Sequence, residues 1–167
     1  MHRPHDALGD LAAKIALLWT GLGLGVAFLA TPAKFLAPSI TLPIALDVGR
    51  QTFWVVDRVE LALCGLLTVL AAFAVRRSRW AIAFAVPTAI VLIQALWLIP
   101  VLDARVGLVI AGQTPPPSPL HLVYIAAEAA KALWLASVGF SAWPWRLRQA
   151  RALHLGGAGG QVVPLHR

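Results

Sequence analysis

The chain has 167 residues, of which 59% are hydrophobic and 13% charged, and its mean hydropathy is +0.77. That balance excludes an ordinary soluble domain, and the single cysteine, Cys64, excludes an intramolecular disulfide, a CxxC redox pair and a cysteine-rich zinc site. The formal charge of +7 raises nucleic acid as a partner, but the basic residues flank apolar runs instead of forming one solvated face, so no nucleic-acid partner is expected.

Four apolar runs cover about 11–30, 53–75, 80–101 and 120–142. A bilayer core about 30 Å thick needs about 20 mostly apolar residues per spanning helix, and every run is long enough. The expected fold is an all-α membrane protein, a four-helix transmembrane bundle occupying 1–150, with a flexible cytoplasmic tail at 151–167. Its first partner is the lipid bilayer.

The first run follows Arg3 and ends in small residues, as a secretory signal would. It is longer than the apolar region of a signal, and it carries Lys14, whose stem can snorkel to the surface, so it is expected to stay as a span. Gly21, Gly23 and Gly25 recur along it, and the Gly21 to Gly25 spacing fits close approach of a neighbouring helix, in the bundle or in a dimer. Pro32, Lys34 and Pro38 should end this helix at the outer surface. From Thr41 to Val75 the only breakers are Pro43 and Gly49, and one straight helix of that length would reach about 50 Å. Its first part, with Asp47 and Arg50, is therefore expected along the outer interface, the chain turning inward near Gln51.

Residues Arg76 to Arg79 form a basic turn before the third run, which Pro87 should kink and Pro100 should end. Pro115, Pro116 and Pro117 make a stiff outer segment. Ser118 with Pro119 behind it reads as an N-cap and first helical residue for the fourth run. The tail from Gly156 to Gly160 should fray. With both termini cytoplasmic, Arg3, Lys14, Arg76, Arg77, Arg79, Arg146, Arg148, Arg151 and Arg167 face inward, while Lys34, Arg50, Arg58 and Arg105 lie outward. This asymmetry follows the positive-inside rule, with Trp80, Trp143 and Trp145 suited to the interfacial belt.

The chemistry lies inside the spans. Asp57, Arg58 and Glu60 interrupt the second run, Gln94 the third, and His121, Tyr124, Glu128 and Lys131 the fourth. A charge near the centre of a spanning helix costs about 2.5–3.5 kcal/mol on insertion scales, so such residues face the bundle interior and pair. His121, Tyr124, Glu128 and Lys131 follow one another by three, four and three residues and share one helix face. Counting rises of about 1.5 Å from the outer helix ends puts Glu60 about 10 Å and Glu128 about 12 Å deep, a common level. Asp57, Glu60, Gln94, His121, Tyr124, Glu128 and Lys131 are therefore the candidate binding residues. Two carboxylates at one level call for a compensating charge from Lys131, Arg58 or a bound cation. The structural alternative is an ordinary Glu128–Lys131 pair that lets the helix insert.

A metal site is not expected, because His121 and Glu128 stand seven residues apart, about 10.5 Å along the axis, and no HxxxH or CxxC lies in a span. No cofactor is expected either. Neither a GxSxG elbow nor a Walker loop occurs, so no catalytic residue is named.

Four short motifs occur in order: Leu18-Trp19-Thr20-Gly21, Thr31-Pro32-Ala33-Lys34-Phe35, Val48-Gly49-Arg50-Gln51-Thr52-Phe53, and Leu120-His121. Together they resemble the bacterial relatives of the transmembrane protein 205 family, a four-helix domain of unknown function, over about 11–142. The resemblance implies a bacterial inner membrane location, a matching role for Pro32, Phe35 and His121, and a transport-related activity, since the animal member is associated with drug resistance and export. Lys34, Glu128 and Lys131 depart from the family pattern. The leading functional expectation is a small membrane protein that binds or helps move a polar or cationic solute, with Glu60, Glu128 and Lys131 bearing charge and His121 as a gate. An accessory subunit of a larger membrane complex, or a homo-oligomer, and a membrane-embedded metal or redox enzyme are the alternatives.

Overall fold

A computed structural model describes residues 4–74 and 78–141. The fold is an all-α membrane protein built as a four-helix bundle, and no strand occurs among the described residues. Helix α1 (4–36) runs as an α-helix over Pro4–Leu24, widens to a π-helix over Gly25–Ala30, and closes through Thr31–Ala33 and a 3-10 turn, Lys34–Leu36. Helix α2 is Leu42–Ala74. Helix α3 (78–110) joins Ser78–Ile93, a π turn Gln94–Leu98 and Ile99–Ile110, and α4 is Leu120–Ser141. Each helix packs against its neighbours in sequence, and α4 closes the ring by packing extensively against α1.

Two prolines that were expected to end helices do not. Proline lacks an N–H and its ring collides with the carbonyl four residues back. Both π segments end two residues before a proline, Pro32 in α1 and Pro100 in α3, and both carry hydrogen bonds that reach five residues back, Thr31 N–H to Val26 O and Ile99 N–H to Gln94 O. The wider turn absorbs the missing donor, so the helices continue. The first ends instead at Ala37, which is extended as the residue before Pro38 must be. The third runs on to Ile110, where Gly112 takes φ +77° and the bonds Gly112 N–H to Val109 O and Gln113 N–H to Leu108 O close a Schellman cap.

The expected inward turn near Gln51 is also absent. Helix α2 is continuous over 33 residues, and Arg50 ties its first part to the end of α3 through two hydrogen bonds to Asp103, at 2.5 and 3.0 Å. Ser118 caps α4 as its position predicts: its Oγ accepts from Leu120 N–H at 3.3 Å, while Pro119 O accepts from Val123 N–H at 3.0 Å. Ser78 and Arg79 already belong to α3. Arg3, the turn residues Arg76 and Arg77, Trp143, Trp145 and the tail 151–167 lie outside the described residues.

Three stretches, Leu8–Leu36, Ala81–Ile110 and Leu120–Ser141, are long and apolar enough to cross a membrane by length and composition. Helix α2 misses that standard on its own because Asp57, Arg58 and Glu60 fall within its apolar part. The bundle exterior is correspondingly apolar, with Leu18, Leu29, Leu96, Leu122 and Leu133 all exposed, whereas Trp19, Leu67, Val91 and Leu135 fill the core.

The glycines of α1 pack differently from their spacing. No neighbouring atom lies within 4 Å of a Cβ built on Gly21 or Gly25, so that pair makes no helix contact inside the bundle. The close approach between α1 and α4 is at Gly139, where a Cβ would collide with Leu17 and stand 3.2 Å from Ala13 O.

Candidate functional site

Four of the expected polar residues converge in the core. Lys131 on α4 is 2% exposed, and its Nζ donates to Glu60 Oε2 on α2 at 2.6 Å, to Glu128 Oε1 one turn earlier at 2.8 Å, and to Gln94 Oε1 on α3 at 3.3 Å. Gln94 returns a bond from its Nε2 to Glu128 Oε1 at 2.9 Å. The π turn places Gln94, since widening α3 there directs a polar residue inward from an otherwise apolar helix. Helix α1 supplies a fourth wall. Trp19 is buried, and its Nε1 donates to Glu60 Oε1 at 2.8 Å. Gly23, one turn on, faces the Glu128 carboxylate: a Cβ there would stand 3.6 Å from Oε2, in ordinary van der Waals contact.

The three-apart Glu128–Lys131 pair therefore exists, but it is one edge of a larger network. Two carboxylates share a single ammonium, and all three groups are nearly inaccessible. Each carboxylate keeps a second donor, Trp19 for Glu60 and Gln94 for Glu128. Buried charge is tolerable only with such saturation of its hydrogen-bonding capacity.

Tyr124, one turn before Glu128, is buried with its hydroxyl beside that carboxylate and its ring edge-on to Phe53, at 5.2 Å and 73°. It also lines a cavity of about 410 Å³ at the end of the bundle where α1 and α3 finish and α2 and α4 begin. Tyr124 thus separates the cavity from the ion cluster. His121 lies at the cavity mouth, exposed, and takes no part in the cluster. Asp57 is half-buried and near enough to Arg58 and Lys131 to feel both charges, yet it is not among the groups that Lys131 bonds. Arg58 turns to the exterior, its guanidinium 3.2 Å from the Trp54 ring centre and donating to Trp54 O at 3.1 Å.

The cavity lining was not anticipated as a unit. Among the described residues, Lys34, Arg50 and Arg105 line it against one acid, Asp103. Arg50 holds Asp103 with both Nε and Nη2, and this bond and its charge raise the already high pKa of the guanidinium. The signals were present in weaker form: a mid-span tryptophan such as Trp19 needs a partner for its indole N–H, and Lys34 and Arg50 flank the first connection. Among the described residues, no group of three or more His, Cys, Asp or Glu side chains is placed to hold a metal ion. No family model, curated protein or solved structure matches the chain.

Proposed function

We propose that this membrane protein binds, or helps move, a polar solute through the cavity at one end of its bundle, and that the Glu60–Lys131–Glu128 cluster exchanges a proton in the process. One observation carries the reading: two buried carboxylates share a single buried ammonium, which leaves one negative charge over. In a low-dielectric interior that surplus must be balanced by a proton or a bound cation. Tyr124 supplies the path, since its ring lines the cavity and its hydroxyl meets Glu128. The basic cavity lining supports an anionic or neutral polar solute over a cationic one.

The proposal includes orientation. Placing both termini and the Arg76 to Arg79 turn in the cytoplasm puts the cavity end, with Lys34, Arg50 and Arg105, on the outer side of a bacterial inner membrane. The motif resemblance to the transmembrane protein 205 family belongs to the same proposal and is compatible with a transport-related role.

Infrared difference spectroscopy of the protein in lipid nanodiscs tests the proton. A carboxylic acid band is expected at neutral pH, absent from the Glu60→Gln/Glu128→Gln double variant and shifted by Tyr124→Phe. A wild-type protein with no such band, whose melting temperature instead depends on which monovalent cation is supplied, would overturn the proton reading.

A further inference from the structure

The cavity has a chemistry of its own, apart from the cluster beneath it. Asp103, its one acid, is taken up by Arg50, and the pair is neutral. Arg105 lines the cavity and donates from Nη2 to Pro116 O, a bond to a neutral carbonyl that leaves its charge uncompensated. Among the described residues, that leaves Lys34 and Arg105 as two cations without a carboxylate in a site bounded by four helices.

Lys34 is the more telling. Its side chain is half-buried, and its Nζ occupies the space over Gly49, where any Cβ would overlap it. It also lies over the ring of Phe35, 5.2 Å from the ring centre. Among the described residues no acid or hydrogen-bond acceptor pairs with it. An ammonium held in place beside a glycine, in partly desolvated surroundings and lacking a counter-ion, is a site for an anion. Thr31, one turn earlier on α1, lines the same cavity, and its Oγ1 is buried with no hydrogen-bond partner among the described residues. The first turn of α4 adds Ser118 and His121 and the positive end of the helix.

The rest of the lining is apolar: Leu46, Phe53, Ile99, Leu102, Val106 and Val109. A cavity of about 410 Å³ with a few convergent polar groups on an apolar wall has the make-up of a small-molecule site. A free inorganic anion would leave that wall unused, and a neutral lipid would leave Lys34 unpaired.

We propose that the cavity binds an amphipathic acid, its carboxylate or phosphate head held by Lys34 and Arg105 and its apolar chain laid against the α2 and α3 side of the lining. This names the solute class of the reading above and rests on it for the place of binding, not for the proton exchange. The acid head could be that of a free fatty acid or alkyl phosphate, or of a membrane phospholipid.

The test is calorimetric titration of the full chain in phosphatidylcholine nanodiscs with dodecanoate, dodecyl phosphate, dodecanol, dodecyltrimethylammonium and inorganic phosphate. Dodecanoate and dodecyl phosphate should bind, and the alcohol, the cationic amphiphile and inorganic phosphate should not. Lys34→Gln should weaken dodecanoate binding by about tenfold or more, the worth of one charge-assisted contact. Gly49→Ala, which keeps the lysine but takes its space, should weaken it as well. Dodecanol binding as tightly as dodecanoate, or Lys34→Gln with unchanged affinity in a protein that melts normally, would overturn the proposal. Nanodiscs doped with phosphatidic acid separate the sources: loss of dodecanoate binding there identifies the lipid head as a competitor, and its persistence identifies the free acid as the ligand. The two readings fail apart. An infrared acid band without dodecanoate binding sinks this inference alone, and binding without the band sinks the proton alone.

Discussion

Lys131→Met removes the ammonium on which the core depends while keeping a side chain of similar length. Lys131 is 2% exposed and bonds two carboxylates, which after the change retain only Trp19 Nε1 and Gln94 Nε2 as neutral donors. Breaking a buried pair by deleting one partner costs about 3–5 kcal/mol, between about a hundredfold and several thousandfold in the folded-to-unfolded ratio. Glu128→Gln is a different perturbation, because it leaves Glu60 and Lys131 as a neutral pair and an amide that still accepts. Its expected cost is about 1 kcal/mol. The triple change Glu60→Gln/Glu128→Gln/Lys131→Met removes every charge and should recover most of the Lys131→Met loss, since replacing a whole buried ion set is often close to neutral. Unfolding in mixed micelles of increasing dodecyl sulfate content, followed by tryptophan fluorescence, measures all four proteins. If Lys131→Met costs no more than Glu128→Gln, the ammonium is not what neutralises the cluster and the charge argument is wrong.

Trp19→Phe keeps an aromatic ring but deletes the donor to Glu60 and shrinks a fully buried side chain, and should cost at least about 1.5–3 kcal/mol in the same assay, the value of a hydrogen bond to a charged group; wild-type stability would mean that Glu60 does not need it. Gly139→Val should destabilise by about 1–3 kcal/mol through overpacking against Leu17 and Ala13, while Gly21→Ala, facing open space, should stay within about 0.5 kcal/mol of wild type. The reverse order would mean that α1 uses its Gly21 face for packing after all. In a Cys64→Ala background, Ser78→Cys should resist an impermeant thiol reagent in intact cells and Gln113→Cys should react, and the opposite pattern would invert the proposed orientation.

The amino-acid sequence by itself determined the helical membrane architecture, because lipid leaves the backbone no partner but itself and apolar runs of spanning length have few other solutions. It also made Glu60, Glu128 and Lys131 and their common level legible, because each is costly in a span and helical rise is regular enough to count depth across helices; the same cost picked out Asp57 and Arg58 without separating them from the cluster. Local chemistry determined the Ser118 cap in the same way. Tertiary structure decided the rest. Whether Pro32 and Pro100 end a helix depends on whether neighbouring helices reward its continuation, and here π turns let both helices run on to build the cavity. Which glycine makes the close approach depends on helix rotation, so Gly139 does so while Gly21 and Gly25 face outward. Trp19 joined the cluster, Asp57 stayed at its edge and Arg58 turned to the exterior because packing of α1 against α2 fixes which side of α2 is enclosed. The basic cavity gathers Lys34, Gly49, Arg105 and Tyr124 from four separate helices, and only the closed ring brings an ammonium, a buried hydroxyl and an apolar wall to one place.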